Sequence, residues 1–331
     1  MTVEGRAFAR AGLLGNPSDG YHGKILAISV TNYAAQVVLS ESGRLRLRIP
    51  AEEANDFSSV EDLLERIGTY GYYGGLRLIK AAIKRFAEFC RRQGVTLPAR
   101  NFSLSYTSTI PRQLGLGGSS ALITAVMRAL QIFYGVDIPK PLLPTLILEA
   151  EREELGINAG FMDRVAQVYE GCMYMDLSES HFQRRGFGVY ESLDPGLLPP
   201  LYLAFDPGLG KVSGRVLHPI QEGYARGDAE IRATLKELAG LAEEGKSVLM
   251  RREYDRFQVL MDKNFELRRR IMPISLPNLE LVQAARECGA SAKFAGSGGS
   301  IIGMYQGEEM FAALAKRLAE RGAVVIKPEV V

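Results

Sequence analysis

With 331 residues, 47% hydrophobic and 24% charged, the chain has a globular composition and enough length for two modest domains or one large one. Its 40 basic and 38 acidic residues leave a formal net charge of +2, which gives no electrostatic case for nucleic acid or an anionic membrane as partner. No stretch reaches the roughly 18 apolar residues of a membrane span, no signal peptide is expected, and three scattered cysteines without a C-x-x-C predict free thiols in a cytoplasmic protein.

Taken in chain order, Ile25 to Leu39 reads as strand-rich, with β-branched residues broken by small polar ones. Leu76, Ile79, Ile83, Phe86 and Cys90 form a helical stripe that ends at Gly94. Phe102, Leu104 and Tyr106 then alternate with Ser103, Ser105 and Thr107 as a half-buried strand. That strand delivers the chain to Pro111-Arg112-Gln113-Leu114-Gly115-Leu116-Gly117-Gly118-Ser119-Ser120. A helix follows at once, because Leu122, Val126, Ala129, Leu130 and Phe133 recur at helical spacing and Gly135 offers a stop. Four glutamates, Glu149, Glu151, Glu153 and Glu154, precede the small-residue turn Asn158-Ala159-Gly160-Phe161-Met162-Asp163. Pro199-Pro200 marks the passage into a second half, so the expected domains are residues 1–198 and 199–331. Helices from Ala229 to Met250 and Tyr254 to Ile271 follow, and Arg268-Arg269-Arg270 reads as a solvated helix face. A helix from Asn278 to Cys288, a strand from Ser300 to Tyr305, a helix to about Arg321 and a strand from Val324 to Lys327 complete the pattern. Two α+β domains with a cleft between them fit this order.

The glycine–serine loop carries the most chemistry. Glycines at a helix entrance remove the Cβ atoms that would keep a ligand away from the backbone. First-turn N–H groups are unpaired and carry the positive end of the helix dipole, so an anion fits there. Serine hydroxyls at that place can cap the helix or ligate a hard cation that rides with a phosphate. The plainer reading is a Gly-rich turn with a Ser N-cap. A Walker loop is excluded, because Gly210-Lys211-Val212-Ser213 has Phe205 where the first glycine should stand. The Rossmann fingerprint also fails: the glycines follow a Ser/Thr-rich strand deep in the chain and lack the third spaced glycine.

Three separated segments occur in order: Ala9-Arg10-Ala11-Gly12-Leu13-Leu14-Gly15-Asn16-Pro17-Ser18-Asp19, the glycine–serine loop, and Lys293-Phe294-Ala295-Gly296-Ser297-Gly298-Gly299-Ser300. Together they resemble the GHMP kinases, the family of galactokinase, homoserine kinase, mevalonate kinase and phosphomevalonate kinase. Within that family Gly12 to Asp19, Gly71-Tyr72-Tyr73-Gly74-Gly75, Asn101 to Tyr106, Ile110 to Gln113, Asp163 to Tyr169 and Lys293 to Gly299 are similar to the glucuronokinases, which make glucuronate 1-phosphate from glucuronate and ATP. The likeness runs from about residue 8 to residue 305. It departs at Gly118 within the loop and at a short turn near Asp206 to Gly210.

The resemblance implies an N-terminal domain with a left-handed βαβ unit and a ferredoxin-like C-terminal domain. It implies ATP and Mg2+, with Pro111, Gly115, Leu116, Gly117, Gly118, Ser119 and Ser120 around the ATP phosphates and Gly296 and Ser297 in a second turn that closes the site. Ser120 and Glu151 match the metal-holding hydroxyl and carboxylate, with Glu149 in reserve. Asp163 matches the residue that accepts or orients the acceptor's proton, and Arg10 matches its cationic partner, with Lys24 as rival. Asn16, Asp19 and Tyr73 are candidates for the sugar, and Arg112, Arg164 and Lys293 for a substrate carboxylate. The activity implied is phosphorylation of D-glucuronate at C1. The alternatives are a GHMP kinase for a neutral sugar or a mevalonate-like acid, or a sensor of the same fold without turnover.

Overall fold

Alternating burial over its first half and continuous burial over its second make Thr2–Leu14 a strand, β1, that is covered progressively on both faces. It pairs antiparallel with the longer β2, Lys24–Ser42, with register shifts after Phe8 and Gly12. The computed structural model describes residues 1–48, 74–209 and 218–331; Tyr73 lies outside the described residues. β3 (Arg46–Leu47) pairs parallel with β4 (Asn101–Ser108), and β4 pairs with the second half of β2. β5 (Cys172–Asp176) pairs with the first half of β2, and β6 (Val189–Leu193) with β5, which gives a six-stranded sheet.

Helices α1 (Gly75–Arg92), α2 (Gly118–Tyr134), α3 (Leu143–Arg152) and α4 (Met162–Tyr169) belong to this half, with the short α5 (Glu179–Arg185) between β5 and β6. The expected stripe of α2 is the buried one: Leu122, Val126, Ala129, Leu130 and Phe133 all face the core. α2 ends at Gly135 in the left-handed region, as its sequence suggests.

The second sheet runs β10-β7-β9-β8 and is antiparallel, from β7 (Leu201–Phe205), β8 (Lys293–Phe294), β9 (Ser300–Met304) and β10 (Val324–Ile326). Between β7 and β8 lie α6 (His218–Ala225), α7 (Ala229–Met250), α8 (Tyr254–Ile271) and α9 (Leu276–Glu287), and α10 (Gly307–Ala319) joins β9 to β10. This is the β-α-β-β-α-β plan of a ferredoxin-like unit. Helix α9 begins two residues earlier than its apolar pattern suggests, with Ser275 at the N-cap and Pro277 in the first turn, where its missing N–H costs nothing.

The two sheets share one core: Leu13 and Leu14 of β1 cluster with Leu241 and Ala242 of α7 and Phe257 of α8. Backbone bonds cross too, such as Gly12 N–H to Ala295 O at 2.8 Å. After β10 the chain returns to the first sheet. Thr31 N–H donates to Glu329 O at 2.9 Å, Asn32 Nδ2 to Lys327 O at 3.3 Å, and Glu329 N–H to Asn32 Oδ1 at 2.9 Å. Among the described residues no helix is long and apolar enough to cross a membrane.

Candidate active site

Helix α2 opens onto a cavity of about 1520 Å³ lined from both halves of the chain. Its N-cap is Gly117, at φ 78° and ψ 30°, and no side chain caps it. An L-residue would be strained there, and a Cβ would stand 2.8 Å from Gln167 Nε2, which donates to Gly117 O. The Ser N-cap of the plainer reading is therefore not present. Ser120 Oγ instead donates back to Gly117 O at 3.0 Å. Gly117, Gly118, Ser119 and Ser120 all line the cavity, so the helix N-terminus opens into it.

The second glycine turn closes against the first. A Cβ on Gly296 would overlap the Gly115 carbonyl oxygen, and Ser300 Oγ donates to Leu114 O at 2.6 Å. Gly296 and Ser297 line the same cavity as Pro111, Gly115 and Leu116.

Arg10, on β1 and 4% exposed, holds Asp163 through a two-pronged pair. Its Nε donates to Asp163 Oδ1 at 2.7 Å and its Nη2 to Oδ2 at 2.9 Å, while Nη1 donates to Gly115 O. Burial pushes the Asp163 carboxyl upward, but Arg10 and then Arg164 outweigh it and hold the group below the ordinary carboxylate range. Phe161 is the N-cap of α4, so Asp163 sits inside the first turn and does not cap it. Ser120 Oγ lies 3.5 Å from Asp163 Oδ2. The rival cation, Lys24, is elsewhere: its Nζ is 2.8 Å from Glu243 and 3.7 Å from Asp176.

Glu151, 1% exposed at the end of α3, is paired with Arg164. Arg164 donates from Nε at 2.7 Å and from Nη2 to the same oxygen, Oε2, and from Nη1 to Gly160 O at 2.7 Å. Burial disfavours the Arg164 charge, but Glu151 and Asp163 outweigh that and raise its pKa, so the guanidinium stays ionised. Ser120, Glu151 and Asp163 line one cavity with oxygen donors of the kind a hard cation takes, and Arg164 uses only Oε2 of Glu151, whose pKa burial raises; among the described residues no group of three or more His, Cys, Asp or Glu side chains could hold a metal ion. Glu149 does not share this place. It faces Arg85 and Arg92 at 3.7 and 3.8 Å, outside the cavity lining.

Of the cations expected to face a substrate carboxylate, Arg112 is exposed on the glycine loop and lines the cavity. Arg164 lines it too, but its guanidinium is committed to Glu151 and Gly160. Lys293 is a correction. It is fully buried outside the cavity lining, its ammonium bonds to Gly12 O at 2.6 Å and Phe294 O at 2.8 Å, and burial pulls its pKa well below the ordinary value. It is a tie between the sheets. Asp19 lines the cavity, with Oδ2 accepting from Met162 N–H at 3.1 Å; burial raises its pKa despite that bond. Asn16 lines it as well, and its Oδ1 is buried without a partner.

Sequence reasoning missed Arg268. The Arg268-Arg269-Arg270 run is not one solvated face: Arg269 and Arg270 are exposed, but Arg268 is fully buried and lines the cavity. The signal was helical phase, since Arg268 falls on the buried stripe with Phe257, Met261, Asn264 and Phe265.

The family description "GHMP kinases N terminal domain" matches residues 77–171, which hold the glycine loop and Asp163. The chain is 41% identical to "Glucuronokinase 1" of Arabidopsis thaliana, over 91% of this chain and 84% of that protein. It is 42% identical to "Probable glucuronokinase 2" of the same plant, over 90% and 83%. The crystal structure of Lactococcus lactis galactokinase complexed with galactose has a TM-score of 0.77 at 15% identity, covering 99% of this chain and 93% of that one. That structural likeness shows the fold alone.

Proposed function

The chain belongs to the GHMP kinases, and from that premise we propose that it is an ATP-dependent sugar-acid 1-kinase, which transfers the γ-phosphoryl group of ATP to the C1 hydroxyl of D-glucuronate. The observation that carries the kinase reading is one cavity shared by an uncapped helix N-terminus and the Arg10–Asp163 pair. The sugar is supported by the two Arabidopsis relatives that carry the glucuronokinase name.

Phosphoryl transfer asks a protein mainly for position and charge. In this reading Pro111, the Gly115 to Ser120 loop and the Gly296–Ser297 turn hold the ATP phosphates, so residues 1–198 bind the nucleotide and 199–331 close over it. Bound at Ser120 and Glu151, Mg2+ would neutralise phosphate charge. Asn16 and Asp19 hold sugar hydroxyls. Asp163 receives the C1 hydroxyl as a hydrogen bond and takes its proton as the new O–P bond forms. A carboxylate held low by two guanidiniums is a weak base. That suffices when the proton moves late, after the bond between the γ-phosphorus and the departing ADP oxygen has largely broken. Arg10 keeps Asp163 ionised and fixes its rotamer.

The test is a coupled ADP-release assay with magnesium across glucuronate, galacturonate, glucose, galactose and mevalonate. Glucuronate should give the highest kcat/KM, with phosphorus NMR placing the product phosphate on C1. ADP release on none of the five would overturn the reading.

A further inference from the structure

Arg10 is matched by Asp163 and Arg164 by Glu151, whereas among the described residues no carboxylate pairs with Arg268. Its Nη1 donates to Gly296 O at 2.7 Å, its guanidinium stands 5.3 Å from the centre of the Phe294 ring, and its Nε is buried without any partner. Burial lowers its pKa to about 10, which still leaves it charged at neutral pH. Asp19 acts on this charge only from beyond ion-pair distance, and an orphaned buried donor calls for a partner that arrives from outside.

Its position says what kind of partner. Asn264 lies one turn earlier on the same face of α8. Asn264 Oδ1 accepts from Gly15 N–H at 2.7 Å, and its Nδ2 donates to Asn16 O at 3.3 Å. This face of the helix is therefore fastened to the Gly15–Asn16 turn, where Asn16 Oδ1 is the second orphaned polar atom of the cavity wall. Asp19 is near enough for its field to act on Arg268. Two residues with an unsatisfied polar atom, Arg268 with a guanidinium N–H and Asn16 with an amide oxygen, thus line one cavity with Asp19 and are not bonded to each other.

We propose that Arg268 is a specificity-determining residue whose guanidinium pairs with the carboxylate of the sugar-acid acceptor. The inference rests on the sugar-acid reading above. A phosphate of ATP offers the same oxyanion chemistry, so the test must separate the two sources.

The experiment compares the full-length protein with Arg268→Met and Arg268→Lys. Each is assayed on glucuronate and on glucuronamide, its uncharged isostere, and ATP is varied at fixed sugar. Wild type should prefer glucuronate, and Arg268→Met should raise the glucuronate KM by about 30-fold or more, the low end for leaving a buried charge unpaired. The glucuronamide KM and the ATP KM should change by less than about threefold, and Arg268→Lys should recover part of the preference. A rise in ATP KM on both sugars would assign Arg268 to phosphate and overturn the proposal. Equal losses on both sugars with ATP unchanged would reduce it to packing of the Gly296 turn. If Arg268→Met does not fold, the Lys variant and wild type decide: a wild type that turns over the amide as well as the acid defeats the proposal. Absence of any glucuronate turnover in wild type would instead defeat the sugar-acid reading itself.

Discussion

Asp163→Asn removes one charge and almost no volume. Asn can still offer an oxygen to Arg10 Nε, now bonded at 2.7 Å, but its NH2 would face Arg10 Nη2, which donates to Oδ2 at 2.9 Å. One charge-assisted hydrogen bond is lost, about 1.5–3 kcal/mol. The about 3–5 kcal/mol of a fully broken buried pair is not reached, because Arg10 keeps its Nε bond and the Gly115 carbonyl. At about 2–4 °C per kcal/mol for a large domain, Tm should fall by about 3–12 °C. The rate constant should fall about 10²–10⁴-fold, measured by ADP release, while calorimetry shows ATP and glucuronate binding within a few-fold. The sign of the pH effect follows from the lowered carboxyl. Its stabilisation is complete above the unfolded value of about 3.9 and is lost as pH falls through the lower folded value. The Tm gap between wild type and variant should therefore be full at pH 6–8 and close at strongly acidic pH. A variant with unchanged rate constant and weakened sugar binding would make Asp163 a binding residue and refute the reasoning.

Three further outcomes can be checked in the same preparations. Ser120→Ala should raise the magnesium concentration for half-maximal rate about tenfold or more with little change in Tm; an unaltered magnesium response would remove Ser120 from the metal site. Gly117→Ala should raise the ATP KM and cost about 1–2 kcal/mol from its left-handed backbone, whereas Gly135→Ala, with similar φ and open space around it, should cost stability and leave ATP kinetics alone. For Asp19→Asn, the folded carboxyl of wild type has a raised pKa, so its contribution turns unfavourable as pH rises above the unfolded value of about 3.9 and is fully unfavourable above the raised folded value. The Asn variant should gain Tm relative to wild type as pH rises from below that unfolded value, while binding sugar more weakly, and parallel pH profiles would contradict the assignment.

The glycine loop and its helix were legible in the sequence because their demands are local. Gly115 and Gly117 supply positive φ, and the stripe from Leu122 to Phe133 sets the helix face. The helices α7 to α10 of the second half were legible for the same reason, whereas α6 was not read from the sequence. What the sequence withheld depends on distance. Arg164 and Lys293 look like available cations until the fold puts Glu151 against one and the Gly12 carbonyl against the other. Lys24 stood as a rival to Arg10 for Asp163 until the sheet carried it toward Glu243. Arg268 was hidden by its neighbours: three arginines in a row suggest solvent, and a 100° step per residue buries one of them. None of these errors touched the glycine loop.

The bonds of Thr31 and Asn32 to Lys327 and Glu329 span up to 298 residues. During synthesis, β2 cannot complete this part of its pairing until Lys327 and Glu329 have been made. The first sheet therefore does not finish as an independent unit while the second is still being translated, and its closure is of the high-contact-order, slow kind. A fragment cut at Pro199–Pro200 would leave the Thr31 amide, the Thr31 hydroxyl and the Asn32 side chain without these partners, so the most obvious proline junction is not a clean place to divide the protein.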